Sequence, residues 1–408
     1  MIILIAWLLI FSSVFISFFY LNLYSHIKES RTEEYGLDQY PEVTVVMPAY
    51  NEARVVEKAL ESVKNLDYPN YNVNFVDDCS TDNTLEKAEN YASNKINILR
   101  HSVNKGKAAA LNTGLENTDS KYFIVQDADS EIEAELLKKA VTEMEENSGL
   151  GAVIASIAPL EADNFIRKLQ VVEYRLTNFY RMLMTEMDTL NVTPGAFSIY
   201  RTSTVKKVGG FDVGNITEDL EMAFRLRKHG KKFEMVYFNS SRTDFPSTLK
   251  ALYGQRVRWA RGFIHNAYKY REMFLNPEYG YFGTFQLPML VLMPLLILIS
   301  FSMVVNGVIQ GIYNTFIEIS ATGFQLPVLI PEDIYYTLLT MNIVVYLPLI
   351  LSLALVAYII KVAYDYSGER PEHLLALLFY FFAYFLLQSG FWVAAVLKEI
   401  VRSKKVWT

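Results

Sequence analysis

The stretch VTVVMPAYNE, residues 43–52, begins with mostly β-branched residues and ends with polar ones. Its first part predicts a buried strand over 43–48, and a helical pattern follows over 52–65. This alternation recurs along the chain, which predicts βαβ units, a parallel sheet and an α/β fold. The other predicted strands are 72–78, 96–101, 121–127 and 152–156, and the helices between them are 83–94, 106–117 and 131–146.

Acidic residues and a tyrosine follow the ends of three of these strands. They are Tyr50, Asp77, Asp78, Asp127 and Asp129. Ligands of open α/β sheets bind in the crevice beyond the carboxyl ends of the strands. The sequence therefore predicts that these side chains share one cleft.

The composition argues against several kinds of partner and site. The chain has 408 residues, 51% of them apolar, which fits one soluble domain and a membrane part. The net charge of −6 argues against nucleic acid as a partner, because phosphate binding requires a basic surface. The single Cys79 excludes an internal disulfide, and five histidines without a His/Cys cluster argue against zinc. Any metal should be a hard ion with oxygen ligands.

Residues 1–24 form an uncharged run that is long enough to cross a bilayer. A cleaved signal peptide is the alternative, but the run lacks a basic start and an A-x-A-like site, which favours an anchor. His26, Lys28 and Arg31 follow the run directly. By the positive-inside rule, the next domain should lie in the cytosol.

Three more apolar stretches of spanning length lie at about 284–310, 336–360 and 373–397, so that about four transmembrane helices are predicted. The connection 311–333 has acidic residues and no lysine or arginine, which indicates an external loop. Four spans would leave the C-terminus outside, yet the basic tail that starts at Lys398 prefers the inside. Either one of the four stretches does not cross the bilayer, or a segment is re-entrant, or the chain does not follow the positive-inside rule.

Residues 247–275 connect the predicted domain to these spans and have the pattern of a basic amphipathic helix. Basic residues (Lys250, Arg256, Arg258, Arg261, Lys269, Arg271) mix there with apolar ones (Leu249, Leu252, Val257, Phe263, Ile264). Such a helix can lie flat in the membrane interface.

Asp127 and Asp129 flank Ala128 after an apolar strand. Alternation places residues i and i+2 on one face of a strand, where two carboxylates can share Mg²⁺ or Mn²⁺ with a diphosphate. Aspartate is also common in turns, which is the alternative explanation.

Two more segments suit a nucleotide. Asp77 and Asp78 precede Asp82, which can cap the next helix, so that the pair is left to accept hydrogen bonds from a base or ribose. Gly106 and Lys107 open an alanine-rich helix, and a helix start with a lysine suits an anion. A solvated basic turn would have the same composition.

The segment Thr217-Glu218-Asp219 opens a predicted helix over 217–229. A capping threonine followed by acids in the first turn is ordinary helix chemistry. The functional alternative makes Asp219 a general base that takes the proton of an attacking sugar hydroxyl.

Gln255, Arg258 and Trp259 lie within about one turn of the amphipathic helix. Trp259 can stack on a sugar ring and Arg258 can neutralise a departing phosphate, although a bilayer anchor could carry the same residues. The turn at Pro194-Gly195 either lines an acceptor site or merely connects two elements.

In their order, these motifs resemble those of the membrane-integrated family-2 glycosyltransferases, which include cellulose, chitin, hyaluronan and poly-N-acetylglucosamine synthases. The matching segments are VVMPAYNE (45–52), VDDCSTD (76–82), NKGKAAALN (104–112), DAD (127–129), TED (217–219) and QRVRW (255–259). The poly-N-acetylglucosamine synthases look most similar, through 209–230 and 247–262. The resemblance implies a GT-A-like, mostly parallel sheet with flanking helices, an interfacial helix and the transmembrane helices.

The resemblance also implies roles on the donor side. Tyr50, Glu52 and Asp78 would hold the uridine, with Asp77 nearby, and Lys107 would approach the nucleotide.

At the reaction centre, Asp127 would contact ribose and metal, and Asp129 would bind the metal. Asp219 would be the general base, with the neighbouring Glu218 in the substrate site.

On the acceptor side, Gln255 and Arg258 would contact the diphosphate or the acceptor end, and Trp259 would stack on the acceptor sugar. Residues 242–247 only loosely match the gating loop of cellulose synthases, and TPGAF differs from the acceptor loop of better-known synthases.

The predicted function is inverting transfer from a UDP-sugar to a glycan acceptor, with Mg²⁺ or Mn²⁺ as cofactor. The partners would be the donor, a growing glycan or lipid-linked acceptor, and the bilayer, without nucleic acid. The pattern favours processive β-polysaccharide synthesis coupled to export. The alternatives are addition of one sugar to a lipid carrier or glycolipid, and a non-catalytic membrane scaffold or export subunit.

The predicted organisation has four parts in a multi-pass protein of the plasma membrane. They are an N-terminal anchor over 1–27, a cytosolic GT-A-like domain over 41–245, an amphipathic interfacial helix with Q-x-x-R-W over 246–283, and a C-terminal transmembrane region over 284–400.

Overall fold

The computed structural model describes residues 2–27, 36–323 and 343–401. The strands in this part of the chain are β1 (Val43–Ala49), β2 (Tyr71–Asp77), β3 (Ile96–Arg100), β4 (Tyr122–Val125), β5 (Ser130–Ile132), β6 (Leu150–Pro159), β7 (Ser198–Arg201) and β8 (Lys232–Thr243). They form one sheet in the order β3-β2-β1-β4-β7-β6-β8-β5.

The helices of the same residues surround and extend this sheet. They are α1 (Ile2–Ile27), α2 (Val56–Lys64), α3 (Thr84–Glu89), α4 (Lys107–Glu116), α5 (Leu136–Glu146), α6 (Phe165–Glu186), α7 (Thr202–Lys207), α8 (Glu218–Lys228), α9 (Leu249–Lys269), α10 (Leu287–Thr322), α11 (Ile343–Ser367), α12 (Leu374–Phe382) and α13 (Tyr384–Ile400). Two 3₁₀ turns and a π-helical turn, Phe282–Gln286, connect α9 to α10.

The predicted α/β fold with a mostly parallel sheet is confirmed. Strands β3, β2, β1 and β4 are parallel to one another, as are β6 and β8. Strand β7 runs antiparallel to both β4 and β6, and β5 runs antiparallel to β8. The sequence did not predict β5, β7 or β8. The first two have three and four residues, too few to show a strand period, and β5 falls where a helix was predicted.

The centre of the fold is β1, which is buried at all seven positions. Its alternating side chains face two helical layers. Val45 packs in the cluster that contains Leu60 of α2 and Leu137 of α5, and Val46 packs with Leu111 of α4 and Phe179 of α6. Burying each such side chain contributes about 1.5–3 kcal/mol. The two layers therefore hold the strand ends in fixed positions.

The second layer continues into the apolar helices at both ends of the chain. In α1, Tyr20 meets Tyr180 of α6 with ring centroids 5.2 Å apart, and Tyr24 meets Phe179 at 5.4 Å. Ala363 of α11 belongs to the same cluster. Helix α6 therefore joins the sheet to helices from both ends of the chain.

Two described helices are long and apolar enough to cross a membrane, Phe282–Thr322 and Ile350–Ser367. The stretch predicted as one span at 373–397 differs, because it forms α12 and α13, which meet at Ala383 with a bend of 57°. Such a pair is a broken span or a re-entrant loop, and a re-entrant segment is one of the alternatives that the charge pattern left open.

Some of the predictions about topology fall outside the described residues. They concern Lys28, Arg31, the loop residues 324–333, the first residues of the span at 336–360, and the tail after 401.

The predicted amphipathic helix forms as α9, but its basic residues do not all face outward. Arg256 and Arg261 are buried, and they pair with Glu173 of α6 and Glu399 of α13 at 2.6 Å. Lys250 is exposed. A buried guanidinium requires a partner of opposite charge, which explains why these two arginines face protein carboxylates.

Helix α4 lies so close to β1 that only glycine fits at residue 114. A Cβ there would overlap Val46, whose Cγ2 would lie 3.0 Å away. We expect Gly114→Ala to lower the thermal unfolding midpoint of the purified protein in detergent, because overpacking costs about 1–3 kcal/mol. Gly254→Ala is the control, since a Cβ there meets nothing within 4 Å and alanine favours a helix. An equal loss in both variants would contradict this packing.

Candidate active site

The carboxyl ends of β1, β2 and β4 meet at one edge of the sheet. Tyr50 follows β1 and is 42% exposed, so its ring is open to a ligand. Asn51 then adopts a left-handed backbone conformation with φ of 58°. Asparagine tolerates this region better than most residues, and the turn carries the chain away from the edge.

Asp127 and Asp129 lie on a turn between β4 and β5, where Ser130 N–H donates to Asp127 O at 3.0 Å. The backbone of Asp127 and Asp129 therefore does form a turn, as the alternative explanation for these aspartates predicts. Both carboxylates are nevertheless partly exposed, whereas Ala128 between them is buried. Thr243 Oγ1 donates to Asp129 Oδ1 at 3.2 Å. The two acids stand side by side at the edge, as the functional alternative requires.

Lys107 joins two separate groups of acids. Its Nζ lies 2.5 Å from Asp127 Oδ1 and 3.2 Å from Glu218 Oε1. One acid follows β4 and the other begins α8, so the ammonium group holds both elements against the start of α4. Burial lowers the pKa of Lys107, but Asp127 and Glu218 more than offset this and raise it. The lysine is therefore a permanent cation in the cleft.

The acids around Lys107 repel one another. Burial and Glu218 raise the pKa of Asp219 to about 6, while Lys107 and Arg258 oppose the rise. Burial and Asp127 raise the pKa of Asp129 to about 6. Lys107 lowers the pKa of both carboxyl groups, and its contacts with Asp127 and Glu218 bring the segments of Asp129 and Asp219 to the same lysine.

Glu52 completes the acidic cluster from the β1 side. Burial raises its pKa to about 8, and Asp129 and Asp127 add to the rise. Its backbone N–H donates to Thr84 Oγ1 at 2.7 Å, which fixes the residue beside the start of α3. Glu52 thus faces the acids of the D-A-D turn.

The predicted anion site at the start of α4 is filled by Asp78. The Asp78 carboxylate accepts hydrogen bonds from Lys105 N–H at 2.9 Å and from Gly106 N–H at 2.7 Å. His101 Nδ1 lies 2.7 Å from the same carboxylate, and His101 Nε2 lies 2.9 Å from Thr113 Oγ1. The sequence analysis missed His101, although its place after β3 offered the same signal as the other strand-end residues.

Asp77 also has internal partners. Its carboxylate is fully buried, accepts hydrogen bonds from Ser80 N–H at 3.3 Å and lies 3.8 Å from Arg100 Nε. Asp77 and Asp78 therefore shape the loops at the edge, and direct contact of either one with a nucleotide stays a prediction.

Gly195 approaches the centre of the site. A Cβ there would meet Lys107 Nζ, Asp127 Oδ2 at 2.6 Å and Asp127 Oδ1 at 2.8 Å. The Gly195 carbonyl also accepts the Asp127 N–H at 2.9 Å. The turn at Pro194-Gly195 therefore lies against the site and does more than connect two elements. Because Gly195 has no side chain, there is room for the ion pair of Lys107 with Asp127.

Thr217 precedes α8 without making a capping hydrogen bond. Its hydroxyl donates to Asn215 Oδ1 at 3.3 Å and accepts from Asn266 Nδ2 at 3.1 Å. A Cβ at Gly262 of α9 would lie 2.8 Å from Thr217 Cβ, so the two helices touch. The prediction of a side-chain cap by Thr217 is therefore wrong, although acids do fill the first turn of α8. Instead, α9 fixes the start of α8.

The three predicted residues of α9 are half-buried. Arg258 Nη1 donates to Ile216 O at 3.4 Å, just before α8, and its charge reaches Asp219. Trp259 packs against an apolar cluster that includes Ala196, the neighbour of Gly195. Gln255 Oε1 is buried and has no hydrogen-bond partner within the part of the chain that the structure describes. Arg258 therefore approaches the start of α8 and Trp259 the turn at Gly195, while a role for Gln255 at the cleft stays a prediction.

Comparison with known proteins identifies similar sequences and folds. Residues 44–209 match the model of Glycosyl transferase family 2. The poly-beta-1,6-N-acetyl-D-glucosamine synthase of Staphylococcus epidermidis is 30% identical over 224 residues, which cover 54% of this chain and 54% of that protein. The matched region thus spans about half the length of this relative. The synthase of the same name from Staphylococcus aureus is 27% identical over 295 residues, or 70% of each chain.

One solved structure resembles the whole fold. It is the mannosyltransferase PcManGT from Pyrobaculum calidifontis in complex with GDP-Man and Mn²⁺, with a TM-score of 0.63 and 17% identity. The likeness covers 99% of this chain and 100% of that one. At this identity it shows the fold alone.

The raised pKa of Glu52 predicts how stability depends on pH. The folded state holds this proton more tightly than the unfolded state, so stability is lost as the pH rises from about 4.5 to about 8. We expect Glu52→Gln to raise the unfolding midpoint near pH 8.5, because the glutamine carries no charge in the buried acidic cluster. Near pH 5 the gain should largely disappear.

Thermal unfolding in EDTA measures this effect, with Glu86→Gln on the exposed face of α3 as the control. A Glu52→Gln variant that is no more stable than the native chain at high pH would contradict the assigned environment of Glu52.

Proposed function

We propose that this protein transfers a sugar from a nucleotide-diphosphate sugar to a glycan acceptor at a membrane. The match of residues 44–209 to the model of Glycosyl transferase family 2 supports this proposal. The observation that carries the proposal is the pair of contacts from Lys107 to Asp127 and Glu218. These contacts bring the acids after β4 and the acids at the start of α8 into one cleft.

The proposed donor is a UDP-sugar, and UDP-N-acetylglucosamine is the first to test. The names of the staphylococcal relatives describe synthases of an N-acetylglucosamine polymer, which supports this choice. Tyr50 is exposed at the end of β1 and offers an aromatic face for a base. Lys107 supplies the positive charge that a diphosphate requires.

The proposed cofactor is Mg²⁺ or Mn²⁺, held by Asp127 and Asp129. The pair fits a hard cation, because both carboxylates are partly exposed and a positive charge would relieve the repulsion that raises the pKa of Asp129. No group of three or more His, Cys, Asp or Glu residues that could hold a metal occurs in the described ranges. Diphosphate oxygens would therefore complete the ligand set, as is usual for Mg²⁺. A bound ion stabilises the charge of the departing diphosphate.

Asp219 is the proposed general base. With a pKa of about 6 it is ionised at neutral pH and close to the ideal range for proton transfer. As the acceptor hydroxyl oxygen bonds to the anomeric carbon, its proton passes to the Asp219 carboxylate. The bond from that carbon to the diphosphate breaks in the same step, so the configuration inverts. Glu218 remains paired with Lys107. This ion pair keeps the Glu218 carboxylate from competing with Asp219 for the proton.

The acceptor is proposed to enter from the α9 side, between Trp259 and Arg258. The two or three apolar helices in the described residues support a membrane location. The sheet domain over 41–245 is proposed to face the cytosol, as the positive-inside rule predicts. Processive synthesis with export of the β-linked product is the extension that we favour.

A second candidate is the addition of one sugar to a lipid carrier or glycolipid. The observation that favours it is that the match to the S. epidermidis synthase covers only 54% of this chain. Mass spectrometry of the products distinguishes the two, since a ladder supports polymerisation and a single added sugar supports the second candidate.

The role of Asp219 predicts a large loss of activity in Asp219→Asn. We expect the rate of UDP release from UDP-N-acetylglucosamine, with acceptor and the full chain in detergent, to fall about 10²–10⁴-fold, the usual contribution of a general base. Donor affinity, measured by calorimetry, should stay unchanged. Asp212→Asn is the control, because this acid pairs with Lys269. Equal turnover in the two variants would exclude Asp219 as the base.

The metal proposal predicts that EDTA stops UDP release and that Mg²⁺ or Mn²⁺ restores it. We expect Asp129→Asn to require about 10–100-fold more metal for half-maximal rate, the loss typical even for an outer-shell partner of a metal. The exposed Asp119→Asn is the control and should behave like the native chain. Full activity in EDTA would contradict the proposal.

A further inference from the structure

The ring of Trp259 lies in an aromatic pocket at the edge of the cleft. It packs against the cluster that contains Tyr174, Phe245 and Ala196. Tyr174 and Phe245 have ring centroids 4.4 Å apart. Ala196 follows Gly195, whose position leaves room for the Lys107–Asp127 pair. One part of the indole is thus held by the protein, and the residue as a whole stays partly exposed.

Arg256 holds the indole from a third direction. Its guanidinium carbon lies 4.2 Å from the centre of the Trp259 ring, and the residue is only 7% exposed. Positions i and i+3 of a helix share one face, so this contact is built into α9. A flat guanidinium stacks on an aromatic ring in a way that a lysine ammonium cannot.

Glu173 of α6 fixes Arg256 in turn. The Arg256 Nη2 donates to Glu173 Oε2 at 2.6 Å, and both side chains are largely buried. Gln388 of α13 donates to the other oxygen of Glu173 at 3.4 Å. Three helices therefore meet at one carboxylate, and the guanidinium that touches Trp259 is set by long-range contacts and not by α9 alone.

We propose that Arg256 and Glu173 are positioning residues that orient Trp259 to receive the acceptor sugar. The inference deepens the proposed function and depends on it, because an oriented indole has this use only if a sugar stacks on it. Neither residue would touch the substrate. Their loss should weaken acceptor binding and leave donor chemistry intact.

Stability alone does not account for this arrangement. A buried ion pair is often no more stabilising than apolar residues of the same volume. Helix α9 also carries a second such pair, Arg261 with Glu399, again at 2.6 Å. Arg261 is two positions from Trp259, and residues at i and i+2 of a helix do not face each other. This second pair is therefore a matched control for the loss of a buried charge pair on α9.

The test uses the full chain in detergent with UDP-N-acetylglucosamine and an N-acetylglucosamine oligosaccharide as acceptor. The variants are Arg256→Lys, which keeps the charge but loses the flat group, and the double variant Glu173→Gln/Arg256→Gln, which leaves no unpaired charge. The control is Arg261→Gln/Glu399→Gln. The measurements are the KM for acceptor, the KM for donor, and UDP release without acceptor.

We expect both Arg256 variants to raise the acceptor KM about tenfold, equivalent to about 1.4 kcal/mol of binding free energy. Donor KM and acceptor-independent UDP release should stay unchanged, and the control should resemble the native chain. In a Trp259→Ala background the Arg256 changes should add nothing further, since they act through that ring. A purely structural pair would not show this lack of additivity.

An unchanged acceptor KM in Arg256→Lys overturns the proposal, as does an equal rise in the control or a full additional effect in the Trp259→Ala background. Arg256→Lys keeps the test valid if the double variant does not fold. A native chain that releases no UDP from any UDP-sugar overturns the proposed function together with this inference. If the native chain is active, the differences in acceptor KM among the variants test only the positioning role of Arg256 and Glu173.

Discussion

The site depends on the ammonium group of Lys107. Five carboxyl groups from three separate segments face this part of the cleft: Glu52, Asp127, Asp129, Glu218 and Asp219. Such a group of acids is unfavourable at close range without a cation, and burial together with their mutual repulsion raises the pKa of Glu52, Asp129 and Asp219. Lys107 contacts the D-A-D turn and the start of α8 at the same time. This bridge links the two halves of the proposed reaction centre directly.

Residues outside the proposed reaction centre hold Lys107 in its position. Gly106 has a φ of 87°, a left-handed conformation that glycine adopts without strain, and it is the last residue before α4. Asp78 anchors this turn through the N–H groups of Lys105 and Gly106. Gly195 then leaves the space that the lysine side chain occupies. The structure thus assigns Asp78 a structural task at the place where the sequence suggested a ligand.

The predictions from the sequence succeeded where the signal is local. The ends of β1, β2 and β4 are marked by apolar runs followed by acids, so the edge that carries Tyr50 and Asp127 could be placed from the pattern. The contacts of Glu173 with Arg256 and of Asp129 with Thr243 could not, because these partners are 83 and 114 residues apart. The hydrophobic periodicity of the sequence does not indicate such pairings, because they form only when the sheet and its helices pack together.

Helix α6 explains why the apolar helices at the two ends of the chain and the cleft should be treated as one unit. On one side its Phe179 and Tyr180 pack against α1, and the same cluster includes α11. On the other side its Glu173 binds the arginine that stacks on Trp259. A shift of α1, α11 or α13 relative to the sheet would therefore move α6 or its carboxylate, and that movement would reach the ring at the acceptor side. On the donor side, α6 shares an apolar cluster with Leu111 of α4, whereas the polar contacts of Lys107 and Asp78 are made with α8, the D-A-D turn and the start of α4. A movement of α6 should therefore reach the acceptor side through the Glu173–Arg256 ion pair and the donor side through apolar packing.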